Sequence, residues 1–161
     1  MRALAPLALA TLLLLPGTGA RAAPPLAESE VRAFMQTVEY AARARDVNRL
    51  GAVLAADCRI ELRTRIDGQE RVTLMTRAEY LEMLTTGYAS LKDLDAYDYE
   101  VDDQQVALER DPPAATVVSH VTETVVFGGR RQITHSEETA RVERRGDSLK
   151  VVAVSALTAG S

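Results

Sequence analysis

The chain has 161 residues, with 19 lysines and arginines against 23 aspartates and glutamates, a formal charge of −4 at pH 7. It therefore carries no basic field to draw it to nucleic acid or to an anionic lipid surface. The single cysteine, Cys58, leaves no partner for an intrachain disulfide, so the core must hold by packing.

The first segment has one early positive charge at Arg2 and an apolar run from Ala3 to Leu15. A Pro16-Gly17 break and the small-residue ending Ala20-Arg21-Ala22 follow. This predicts a secretory signal peptide over residues 1–22, since the apolar run is too short for a bilayer-spanning helix of about 20 residues. Cleavage would remove Arg2 and Arg21 and take the charge from −4 to −6. No later segment is apolar for long enough to anchor the chain in a membrane. The only lysines are Lys92 and Lys150, and the only asparagine, Asn48, is not in a glycosylation sequon. With abundant alanine and arginine, this composition suits a bacterial periplasmic protein, with secretion as the alternative.

A linker over residues 23–28 precedes one domain expected over 29–158. Val31, Phe34, Met35, Val38, Ala41 and Ala42 fall on one helical face. Asp46 caps a second, shorter helix carrying Val47, Leu50, Val53 and Leu54, which implies a bend near Arg45-Asp46. From Cys58 the period becomes two: Cys58, Ile60, Leu62, Thr64 and Ile66 alternate with charged residues, as in a strand with one wet face. Asp67-Gly68 predicts a hairpin into a return strand over Gln69–Met75. Thr76 and Glu79 form a capping box for a third helix to about Leu91. Strands follow at Tyr97–Val101 and Val106–Leu108, then at Ala115–Phe127, Arg130–Arg144 and Leu149–Thr158, joined by Gly128-Gly129 and Arg145–Ser148. The fold class is α+β: a cone-shaped roll of three N-terminal helices packed on a curved antiparallel sheet.

This order of elements resembles the nuclear transport factor 2-like superfamily, which includes SnoaL-like proteins and ketosteroid isomerase. Ser136-Glu137-Glu138-Thr139 followed by Arg144-Arg145-Gly146-Asp147 is similar to the last hairpin of the association domain of calcium/calmodulin-dependent protein kinase II. Ala44-Arg45-Asp46 up to Ala56-Asp57 is similar to the superfamily's helix, acidic cap, helix, Ala-Asp pattern. The resemblance implies a scaffold that serves enzymes, ligand binders and assembly modules alike. The ketosteroid isomerase general base would fall at Leu62 and its helix-borne tyrosine at Val38, neither of which transfers a proton. The association domain's pocket arginine would fall at Ala140, with Arg141 one step on and so on the other strand face.

If Gly128-Gly129 is a two-residue turn, Ser119 faces Glu138 on the more apolar side of the sheet, with Val117, Val121, Val125, Phe127 and Val142. His120 faces Glu137 and Thr122 faces His135 on the other side. Glu138 is then a carboxyl whose burial is expensive: a ligand anchor or general acid/base, or else a group satisfied by a core hydroxyl. Ser119 is its polar neighbour, and Ser155 is a third polar group of uncertain facing. Tyr40, Tyr80 and Tyr88 either line the mouth of a cone or pack with hydroxyls at the surface. His120, His135 and Glu137 read as an acid/base cluster or metal ligands, or as a cross-strand ion pair on a wet face. The acidic run from Asp93 to Asp103 reads as a solvated edge, and Cys58 as an inert core residue. The candidate ligand contacts are Glu138, Ser119, Tyr40, Tyr88 and His120, with no metal and no cofactor implied. The expected function is an exported, non-catalytic module binding a small apolar ligand or serving assembly, and forming a homodimer. The alternative is a SnoaL-like isomerase, dehydratase or hydrolase acting on a small apolar substrate.

Overall fold

The computed structural model describes residues 24–66 and 68–159. The expected signal peptide and Asp67 of the first hairpin lie outside the described residues; Gly68 beside it takes the positive φ of 75° that the turn requires.

Helix α1 (Glu28–Arg43) is followed by α2 (Val47–Val53). Between them Arg45 adopts a left-handed φ of 53°, which makes the bend. Asp46 accepts the Arg49 amide as N-cap of α2. Strand β1 (Leu54–Ile66) pairs with β2 (Gln69–Thr76), and α3 (Arg77–Ser90) begins with the full Thr76–Glu79 capping box. The remaining strands are β3 (Ala96–Arg110), β4 (Pro113–Phe127), β5 (Arg130–Arg145) and β6 (Ser148–Ala159).

The sheet order is β2-β1-β6-β5-β4-β3. The curved antiparallel sheet expected from sequence is present, with one parallel pair in it: β6 runs parallel to β1, because it returns beside the first strand after a meander that began at the far edge. A correction concerns β3, a single strand where two were expected. A bulge at Asp102 shifts its pairing between Val101 and Asp103 without ending it.

The three helices lie on one face of this sheet and bury Ile60, Val117, Val142 and Val151 against Val31 of α1. Two arginines of α1 reach the free edge: Arg43 Nε donates to the Tyr99 carbonyl at 3.0 Å and Arg32 Nη1 to the Gln104 carbonyl at 3.3 Å. These carbonyls would otherwise invite a further strand, so the helix both covers and blunts the β3 edge.

Candidate functional site

The β4–β5 register sets the site. Phe127 pairs with Arg130 across Gly128-Gly129, which puts Ser119 opposite Glu138, His120 opposite Glu137 and Thr122 opposite His135. Val117 and Val121 are buried beneath the helices and Ser119 is 5% exposed between them, so this parity is the inner face.

A cavity of about 110 Å³ lies between that face and the helices. Met35, Val38 and Ala42 of α1 line it along one helical stripe, with Leu50 and Leu54 below. Its polar residues are Glu138, Ser119, Thr139, Tyr80, Tyr88 and Tyr99. The Tyr99 hydroxyl donates to Glu138 Oε2 at 3.2 Å, and the Ser136 hydroxyl lies 3.4 Å from Oε1. Ser119 Oγ accepts from Gln104 Nε2 at 3.3 Å.

Burial pushes the Glu138 carboxyl above its ordinary value, against the hydroxyls of Tyr99 and Ser136, which favour the anion. Burial also raises the phenols of Tyr80 and Tyr99, and the Glu138 charge raises both further. Towards the mouth, burial and then the charge of Glu123 raise Tyr88 and Tyr97. The Arg45 guanidinium sits 5.1 Å from the centroid of the Tyr97 ring. The left-handed bend at Arg45 thus places a cation over the Tyr97 ring.

Of the five ligand contacts expected from sequence, Glu138, Ser119 and Tyr88 converge on this cavity, whereas Tyr40 and His120 do not. Tyr40 is 61% exposed and stacks under Arg49 at 5.3 Å. It stands two residues from Val38, about 200° round the helix from the cavity stripe. His120 is on the outer face, with Nε2 3.5 Å from Glu137 and Nδ1 3.9 Å from Asp103. His135 Nδ1 instead meets the Thr122 hydroxyl at 3.1 Å. Among the described residues no group of three His, Cys, Asp or Glu side chains is arranged to hold a metal ion.

Ser155 pairs with Thr139 and Glu61 and so belongs to the outer face. The extra residue at Val152, where the β5–β6 register shifts, reverses the parity that a plain hairpin would give. Phe127, grouped with the inner side from sequence, is 62% exposed at the end of β4. Tyr99 is the contact that the sequence reading missed. Its alternation with Asp98 and Glu100 did mark a two-faced strand, but the acidic residues drew attention to the wet face. Val38 and Leu62 keep their expected apolar roles: Val38 lines the cavity and Leu62 packs on the core beneath.

A larger open concavity, about 720 Å³, lies on the outer face between β1, β2 and β6. It is bordered by Arg59, Glu61, Leu74 and Arg141, and it is separated from Glu138 by the thickness of the sheet. The interior cavity is the candidate site, because its carboxyl is buried and raised by that burial beside hydroxyl groups, whereas Glu79 at the outer concavity is exposed and lowered by its capping bonds to Thr76.

No protein-family model matches the sequence, and no curated protein matches it either. Solved structures do. A nuclear transport factor 2-like protein of unknown function in nutrient uptake from Rhodospirillum rubrum is 20% identical, with TM-score 0.56 over 79% of this chain and 96% of that one. A nuclear transport factor 2-like protein with a cystatin-like fold from Novosphingobium aromaticivorans has TM-score 0.62 at 14% identity, covering 80% of this chain and 79% of its own. From the same organism, a structure described as a candidate scytalone dehydratase has TM-score 0.60 at 14% identity, with coverage of 81% and 82%. At these identities the likeness concerns architecture. Three helices laid on a curved, unclosed six-stranded sheet, shared with these structures, identify the chain as having the nuclear transport factor 2-like α+β cone fold.

Proposed function

We propose that this protein is an exported binding module that holds a small, largely apolar molecule in the interior cavity, with Glu138 and Tyr99 as its polar contact. The observation that carries the reading is the Glu138 carboxyl itself. It is the one acidic side chain of the cavity wall, bonded to Tyr99 at 3.2 Å. A carboxyl held there is expensive, and a structural role alone would be met more cheaply by an apolar side chain. The cavity of about 110 Å³ equals the liquid volume of about four waters, so the guest is compact or part of it projects through the mouth.

Filling the space tests this. Ala42→Leu should leave the protein folded but remove any small molecule that native mass spectrometry finds carried through purification. A guest retained undiminished by that variant would place binding elsewhere.

A second reading has a specific observation behind it. A carboxyl raised by burial and in contact with a phenol is equipped to move a proton to or from a guest carbonyl compound, and the scytalone dehydratase-like neighbour supports such chemistry. Deuterium uptake from solvent into the carbon beside the carbonyl of a bound ketone, lost in Glu138→Gln, would favour the enzyme. Binding without exchange would favour the binder.

Export to the periplasm, by cleavage after Ala22, is part of the same proposal, and mass measurement of the protein recovered from periplasmic extract tests it. Homodimerisation through the outer sheet face is supported by Leu74, Val72 and Ile133, which are 73%, 54% and 41% exposed on that face. Sedimentation showing a monomer at high concentration would oppose it.

A further inference from the structure

Both oxygens of Glu138 have a hydroxyl neighbour, Tyr99 on Oε2 at 3.2 Å and Ser136 on Oε1 at 3.4 Å. Both contacts favour the ionised carboxyl. Yet the side-chain partners of this carboxyl are those two hydroxyls: among the described residues no lysine, arginine or histidine forms an ion pair with it, and its acidic neighbour on that face is a second carboxyl, Glu123. Glu123 pairs with Tyr99 on the same inner face of the sheet. A desolvated anion of this kind is stable when a cation touches it, and costly otherwise.

The rest of the polar wall is aromatic. Tyr80, Tyr88 and Tyr99 line the cavity, and Tyr97 stands two residues before Tyr99 on the same inner face of β3. These are four of the chain's five tyrosines, gathered from α3 and β3. Phenol rings attract cations through their faces, most strongly where water is excluded. Arg45 makes such a contact with Tyr97 at 5.1 Å, but it does not line the cavity. The interior therefore has the anion and the rings of a cation site without a cation of its own.

We propose that the guest of this cavity is a small organic cation, an amine or quaternary ammonium with apolar substituents, its charge set between Glu138 and the rings of Tyr80, Tyr88 and Tyr99. This rests on the small-ligand reading above and specifies its chemistry. The methyl groups of such a head would meet Met35, Val38 and Val154, which belong to the apolar part of the lining.

Choline and its uncharged isostere 3,3-dimethylbutan-1-ol provide the test, since they differ in charge and hardly in shape. Both would be titrated into the purified protein at pH 8, with methyl signals of Met35, Val38 and Val154 followed by NMR. Choline should bind at least about tenfold more tightly. Glu138→Gln should erase the preference, and Tyr80→Leu, which deletes one ring and leaves the carboxyl in place, should reduce it several-fold. Equal binding of the two compounds would overturn the cation while leaving the small-ligand reading intact. Silence of the cavity methyls towards both would overturn the two together.

Discussion

Tyr99→Phe removes one hydroxyl and keeps the ring that lines the cavity, so it isolates the bond to Glu138. At 3.2 Å that bond is long for a hydroxyl donor. Its loss should therefore cost the lower end of the range for bonds to charged groups, about 1.5 kcal/mol at pH 8. The cost depends on pH through Glu138. Burial raises this carboxyl above 4.5 and the Tyr99 bond pulls it partly back. In the window above 4.5 the native chain holds a proton that the unfolded chain has released, so stability falls as pH rises through that window. Removing the bond raises the carboxyl further and steepens the fall. At pH 4 Glu138 is largely protonated, and the loss should shrink to that of a neutral bond, about 0.5–1 kcal/mol. Urea unfolding at pH 4 and pH 8 with an unchanged m-value reads both quantities. Equal losses at the two pH values, or a larger one at pH 4, would refute the pairing of this hydroxyl with a buried carboxylate.

Other outcomes follow from the same arrangement. Glu138→Gln should be more stable than the native protein at pH 8, with the gap closing as pH falls, no more steeply than about 1.4 kcal/mol per pH unit; a destabilised variant at pH 8 would mean that the carboxylate is already neutralised. Ile60, 1% exposed, should cost about 2–5 kcal/mol when truncated to alanine, whereas His120→Ala on the wet face should stay within about 0.5 kcal/mol in the same denaturation series. Cys58 is buried, and burial followed by the Asp57 charge pushes its thiol up to about 11. It should react with a thiol reagent at pH 8 no faster than the protein unfolds, and rapid labelling of native protein would contradict its place in the core.

Much of the fold was legible because it is written in local chemistry. The Thr76–Glu79 box starts α3, Asp46 starts α2, and Gly128-Gly129 fixes the β4–β5 register that carries Ser119 and Glu138 to the same side. Long-range features were not. The parallel pairing of β1 with β6 depends on where the chain returns, which no local pattern encodes. The bulges at Asp102 and Val152 add single residues that reverse strand parity, and the second of them sent Ser155 to the outer face. Tyr40 was misplaced for a simpler reason. It is aromatic and near the cavity in sequence, but it stands off the apolar stripe of Met35, Val38 and Ala42, whose spacing points the other way. Tyr99 needed knowledge of the folded sheet, since its register partners are Glu123 and Thr134 and its hydroxyl reaches Glu138 only by extending two strands across the inner face.

The central claim is that the guest site lies inside the cone, and methyl-resolved NMR during titration with choline addresses it most directly. Shifts concentrated at Met35, Val38, Leu50 and Val154 are the predicted result. Shifts confined to Leu74 and Val72 on the outer face would contradict it.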